Sequence, residues 1–325
     1  MRFSTLLQGT LPLLAFAADD NSDNTGYVRP AKPDGLPSIK PPIDYNGVIE
    51  QGLMDNLPPT PSQIKFLSRN KFPEDCMNHA KENNRGPDEF EVFEVYYEDC
   101  HAPWIMCRLK DTHVNATTMA EMFGRMPLGM REYIKHVILW KPKDLPGAAA
   151  WDAGDVIAIS EDSFKLYVFA HELSHSLDAH VQIPGITPPG QGRLSQTRRW
   201  AEQFALDNAT VSDYARTQWP ENLAEVGIIA LYNTVVPNGV ANLRDNDPSE
   251  FYHQYATYET YYRDMITPKP NQSCTQRVPD SKMVYWPNIT SDGFPVEGHT
   301  RKVGVTQIPP GSFHNETFIQ PHSCR

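Results

Sequence analysis

Hydrophobic and polar positions change period several times along the 325-residue chain, and each change marks an element. Phe90-Glu91-Val92-Phe93-Glu94-Val95-Tyr96-Tyr97 runs in near-alternation, the period of a half-buried strand. His136-Val137-Ile138-Leu139-Trp140 and Gly154-Asp155-Val156-Ile157-Ala158-Ile159 are two shorter β-rich runs, with a Pro- and Gly-containing loop between them. Residues 117–135 read as a helix in two pieces, broken at Pro127 and Gly129. Residues 163–181 hold neither Gly nor Pro. There Phe164, Tyr167, Val168, His171 and His175 recur at helical spacing, which predicts a helix with a definite inner face. Further helices are expected over 198–208, 221–235 and 249–265, the last with a stripe of Phe251, Tyr252, Tyr255, Tyr258, Tyr261 and Tyr262 that reads as core. A small sheet followed by helices predicts an α+β fold.

Composition changes this picture at the ends. Pro makes up 29 residues, about 9%, against a usual share of roughly 5%. Much of it lies before residue 62 and after residue 268. The expected organisation is a signal peptide over 1–17, a Pro-rich arm or propeptide over 18–65, a globular domain over 66–267 and a Pro-rich glycosylated tail over 268–325. Whether the first Pro-rich stretch is a linker, a propeptide or an arm wrapped on the domain is open from composition alone. Arg2, the apolar stretch around Leu6 to Phe16 and the Ala15-Phe16-Ala17 site make up the secretory leader. The formal charge is −11 with no long basic run, which argues against nucleic acid and against a basic membrane surface as partners. No other segment has the roughly 20 apolar residues of a membrane span. Five N-x-S/T sequons, at Asn115, Asn208, Asn271, Asn288 and Asn315, fit a secreted, extracellular glycoprotein. Cys76, Cys100, Cys107, Cys274 and Cys324 suggest two disulfides and one spare thiol, with Cys274–Cys324 the expected clasp of the tail.

The chemistry centres on His171-Glu172-Leu173-Ser174-His175. Residues four apart lie one above another on a helix, so two imidazoles can share one Zn²⁺ while Glu172 reaches the metal-bound water. A third ligand is needed. An extension to a third histidine fails, because Asp178 and Val181 occupy the required positions. Glu202 is possible; Glu221 is better, since it opens an apolar helix and shares a face with Glu225 at i, i+4.

Tyr214-Ala215-Arg216-Thr217-Gln218-Trp219-Pro220-Glu221-Asn222-Leu223-Ala224-Glu225, together with the helix from His171 to Asp178, resembles the paired motifs of anthrax-lethal-factor-like zinc metallopeptidases. The resemblance covers roughly residues 130–235, with Ser174 in place of a common Gly and Asn222-Leu223 in place of an aromatic pair. The Pro-rich arms and sequons resemble fungal secreted proteins, including ones associated with conidiation. The metallopeptidase resemblance implies a zincin-like domain, a small mixed sheet over an active-site helix with a helical second half. It implies one Zn²⁺ per chain on His171, His175 and Glu221, Glu172 as general base and Tyr214 as donor to the oxyanion. Asp178 and Glu225 would be outer carboxylates orienting the imidazoles, and the edge strand at 154–159 would pair with a peptide or protein substrate. The expected activity is that of a secreted, monomeric zinc endopeptidase. The alternative is a non-catalytic secreted zinc-binding or cell-surface glycoprotein with a zincin fold.

Overall fold

The computed structural model describes residues 30–286, apart from 69, 146, 191, 275 and 276, together with residues 302–303. In chain order the elements are α1 (Glu50–Asn56), β1 (Ser62–Phe66), β2 (Lys71–Pro73), α2 (Glu74–Glu82), β3 (Phe90–Tyr97), β4 (Trp104–Leu109), α3 (Ala116–Arg125), α4 (Leu128–Arg131), β5 (His136–Trp140), β6 (Ala150–Ala153), β7 (Val156–Ser160), α5 (Leu166–His180), α6 (Arg198–Phe204), α7 (Trp219–Val235), α8 (Tyr252–Ile266), β8 (Met283–Tyr285) and β9 (Lys302–Val303). The architecture is α+β. Six strands form a mixed sheet in the order β6-β7-β5-β4-β3-β1, with β9 on the outer side of β1. Strands β4, β5 and β7 run parallel to one another; β6, β3 and β1 pair antiparallel to their neighbours.

Both faces of the sheet are covered. The larger core lies between one face and the helices, with Val137, Leu139, Ile157 and Ile159 against Phe169, Leu173 and Leu177. The smaller core, around Phe72, Cys76, Phe90, Ile138 and Trp140, lies on the other face under α2 and the β2–β8 ribbon. Central strands buried on two sides carry no alternation. Every residue of β4 and of β5 is buried, which is why Trp104-Ile105-Met106-Cys107-Arg108-Leu109 has no strand period.

Helix α5 runs through the middle of the molecule. Twelve of its fifteen residues are buried, so the expected single inner face is in fact burial nearly all round. It packs closely on α7, and Gly227 permits the approach, since a Cβ there would overlap the Ser174 hydroxyl. Residues 30–57 wrap this helical half: Ile39, Ile43, Ile49, Leu53 and Leu57 join the main core, and the Trp219 indole N–H donates to the Pro30 carbonyl at 2.8 Å.

Two expectations are corrected. Cys274 is bonded to Cys100 and not to Cys324, and Cys76 is bonded to Cys107. The segment after α8 returns to the sheet, where Cys274 N–H donates to the Asp99 carbonyl at 2.9 Å, which brings it beside Cys100. Cys324 lies outside the described residues. The strand expected over 154–159 is not at the sheet edge. Gly154 and Asp155 have φ of 60° and 69° and form a two-residue turn that folds Ala150–Ala153 back along Val156–Ser160. Two consecutive positive φ values suit such a hairpin turn, and β6 therefore takes the edge.

Candidate metal centre

The i, i+4 spacing on α5 places His171 and His175 one above the other, with ring centroids 4.8 Å apart. Opposite them stands the first turn of α7, opened by Trp219-Pro220, where Pro suits a position that has no intrahelical bond to lose. Glu221 projects from that turn. Its Oε2 lies 3.1 Å from His171 Nε2 and 3.3 Å from His175 Nε2, and the two Nε2 atoms are 3.2 Å apart. All three residues are buried or half-buried.

This triangle can be tested against an ion. Ligand bonds of about 2.0–2.1 Å in a tetrahedron put neighbouring donor atoms about 3.3 Å apart. The three observed separations of 3.1–3.3 Å match that spacing, and the donor set of two imidazoles and one carboxylate suits zinc. Three protein donors leave a fourth position open.

The surroundings fix the donors. His171 Nδ1–H donates to Glu225 Oε1 at 3.0 Å, so that an ion on Nε2 could take the place of the proton this nitrogen shares with Glu221. Ser212 Oγ–H donates to the other Glu225 oxygen at 2.6 Å. Burial opposes ionisation of Glu221, but the hydrogen bonds and charges of His171 and His175 outweigh it and hold this carboxyl well below its usual range. Burial likewise opposes protonation of His175, and the bond to Glu221 pulls its pKa up regardless. Glu172 is buried, Oε2 has no hydrogen-bond partner, and burial raises its pKa against the pull of the two imidazoles.

Tyr214, in a short turn ahead of α7, has its ring centroid 5.9 Å from that of His171. Asp178 accepts from Ser195, through the backbone N–H at 2.9 Å and the hydroxyl at 2.5 Å. Glu202, the other candidate ligand, is paired with Arg198 at 2.7 Å. Asn115 caps α3 and is exposed, as are Asn208 and Asn271; Asn288, Asn315 and the leader over 1–17 lie outside the described residues. No helix among the described residues is long and apolar enough to cross a membrane.

Three residues near the centre escaped the sequence reading: Ser212, Tyr45 and Asp152. Asp152 lies on β6, bonded through Oδ2 to the Ser176 hydroxyl next to His175, with Oδ1 buried and unpartnered. Burial, only partly offset by Ser176 and His175, pushes its carboxyl up to about 7. The signal that could have found it is Gly154-Asp155 between two short apolar runs, which reads as a hairpin turn and makes Asp152 a strand residue. A second donor group, His113, Glu161 and Asp162, has Glu161 already paired with His113 at 2.8 Å and with Lys141 at 3.5 Å.

The chain belongs to the Con-13 family: the family profile, described as conidiation-specific protein Con-13, matches residues 45–292. Among curated proteins, Conidiation-specific protein 13 of Neurospora crassa is 30% identical over 205 residues, 60% of this chain and 54% of the relative. The chain thus spans about half the length of that relative. No solved structure matches. These findings overturn the lethal-factor-like membership and, with it, the zinc endopeptidase: neither comparison points to a peptidase, a hydrolase or a metalloprotease. The alternative of a non-catalytic glycoprotein with a zincin fold is equally without support; the fold is α+β.

Proposed function

We propose that this member of the Con-13 family is a metal-binding protein that holds one zinc ion per chain through His171, His175 and Glu221. The observation that carries this reading is the triangle of Nε2, Nε2 and Oε2 atoms with sides of 3.1–3.3 Å, tetrahedral spacing on a donor set that suits zinc. Because the donors come from α5 and α7, a bound ion would tie these two helices together and add its binding free energy to the fold. We propose also that the protein is exported. The two disulfides, the exposed sequons at Asn115, Asn208 and Asn271 and the leader-like residues 1–17 support an oxidising compartment.

The test is elemental analysis of the full chain purified from a secretory host, with zinc, iron, copper and nickel read together. One zinc per chain is expected, lost in His175→Ala, with a melting temperature that falls when wild type is treated with chelator and is unmoved in the variant. Wild-type zinc no higher than buffer, or stoichiometric iron instead, overturns the reading.

A further inference from the structure

The stretch before the first strand reaches the metal centre. Asp44 caps the turn that begins at Tyr45, accepting the Gly47 N–H at 2.8 Å, and this aims the Tyr45 side chain inward. The Tyr45 ring lies 5.8 Å from the ring of Tyr167 on α5. Beside it, the Tyr167 hydroxyl donates to Asn46 Oδ1 at 3.2 Å, and the Glu50 carboxylate accepts the backbone N–H groups of Leu166 and Tyr167 at 3.1 and 3.2 Å. The arm is thus pinned to the first turn of the helix that bears both histidines. The Tyr45 hydroxyl itself is buried without a hydrogen-bond partner, and the Glu225 carboxylate is the charged group it faces.

Glu225 is the carboxylate that accepts His171 Nδ1–H at 3.0 Å, with Ser212 donating to its second oxygen at 2.6 Å. A carboxylate has about four acceptor positions. Two donors hold it at one oxygen each; a third, from the unpartnered Tyr45 hydroxyl, would fix the plane in which it meets the imidazole. Such partners of a ligating histidine set the direction of its lone pair and its basicity.

We propose that Tyr45 is a positioning residue of the metal centre, acting on His171 through Glu225, so that the N-terminal arm is a working part of the site. This rests on the metal-binding reading above. A tyrosine that served only to pack against Tyr167 would do so equally well as phenylalanine, because the ring is kept and only the O–H is lost.

The experiment measures zinc affinity by competition with a chromophoric chelator, on the full chain, for wild type, Tyr45→Phe and Asn46→Ala, with melting temperatures of the metal-free and zinc-loaded forms. Tyr45→Phe is expected to weaken zinc binding by about tenfold or more, to leave the metal-free melting temperature unchanged, and to shrink the zinc-induced rise. Asn46→Ala, which removes one neighbouring contact of the arm while the Glu50 bonds to α5 still hold it, is expected to keep wild-type affinity. Unchanged affinity in Tyr45→Phe overturns the proposal while the zinc site stands. An equal loss in Asn46→Ala also overturns it, since the effect would then belong to docking of the arm. A wild type that holds no zinc removes both readings.

Discussion

Asp178 is a buried carboxylate one turn beyond His175, and Ser195 takes both of its oxygens, from the backbone N–H at 2.9 Å and the hydroxyl at 2.5 Å. Burial raises its pKa, and the two bonds from Ser195 oppose that rise. The contact also fastens the loop of residues 181–195 back onto α5, with the Arg193 N–H donating to the Asp178 carbonyl. Ser195→Ala removes one donor from a buried carboxylate and is expected to cost about 1.5–3 kcal/mol of stability, read as a shift of the urea midpoint. A loss below about 0.5 kcal/mol would mean that Tyr262, which also faces this carboxylate, takes over the bond. At this scale His171, His175 and Glu221 were legible because helix geometry alone sets two donors at i, i+4 and because Glu221 heads an apolar run. Ser212, Tyr45 and Asp152 were not, since each reaches the centre from an element whose place depends on the whole fold.

Helix α5 begins at Leu166 with Lys165 before it, a residue that offers no acceptor to the free N–H groups of the first turn. Glu50, on α1 and 116 residues earlier, supplies the carboxylate instead, where the helix dipole also favours negative charge. Glu50→Ala is therefore expected to destabilise the protein by about 1–2 kcal/mol, the range of a lost N-terminal cap, with a lower melting temperature in both metal-free and zinc-loaded forms. A melting temperature equal to wild type would show that water caps the helix as well as Glu50 does. Periodicity exposed α5, α7 and α8 because each is long and free of internal breaks. Helix α1 was hidden: its seven residues sit in a stretch whose Pro content points to an extended chain, and only Leu53 faces fully inward. Strands β4 and β6 were hidden for opposite reasons, the first because it is buried on both faces, the second because it is four residues long and closed by a Gly-Asp turn.

At the scale of the molecule, the chain after α8 is drawn back across the sheet by a disulfide and a histidine. Cys100–Cys274 closes a span of 174 residues, and the strap that follows places the Arg277 guanidinium 4.8 Å from the centre of the Trp104 ring. It then meets His136, which is fully buried. His136 Nδ1–H donates to the Ile105 carbonyl at 3.0 Å, and Nε2 accepts from the Ser281 N–H at 3.2 Å and lies 2.9 Å from the Ser281 hydroxyl. Only the neutral ring can do this, because a proton on Nε2 would face the Ser281 N–H. Burial holds its pKa below the usual 6.5, although the Ile105 bond, Asp280 and Asp75 pull upward; Arg277 adds to the depression. The unfolded chain, with an ordinary histidine, therefore binds more protons than the fold does below about pH 6.5. The contribution of His136 is fully present above that pH and is lost as pH falls from there towards the folded pKa. His136→Gln cannot titrate. The difference in unfolding free energy between wild type and His136→Gln should shrink between pH 7.5 and 5.5, by at most about 1.4 kcal/mol per pH unit. Parallel stability curves for the two proteins across that range would show that His136 stays neutral in both states or is matched by its neighbours, and the strap would then be fastened by the disulfide and Arg277 alone.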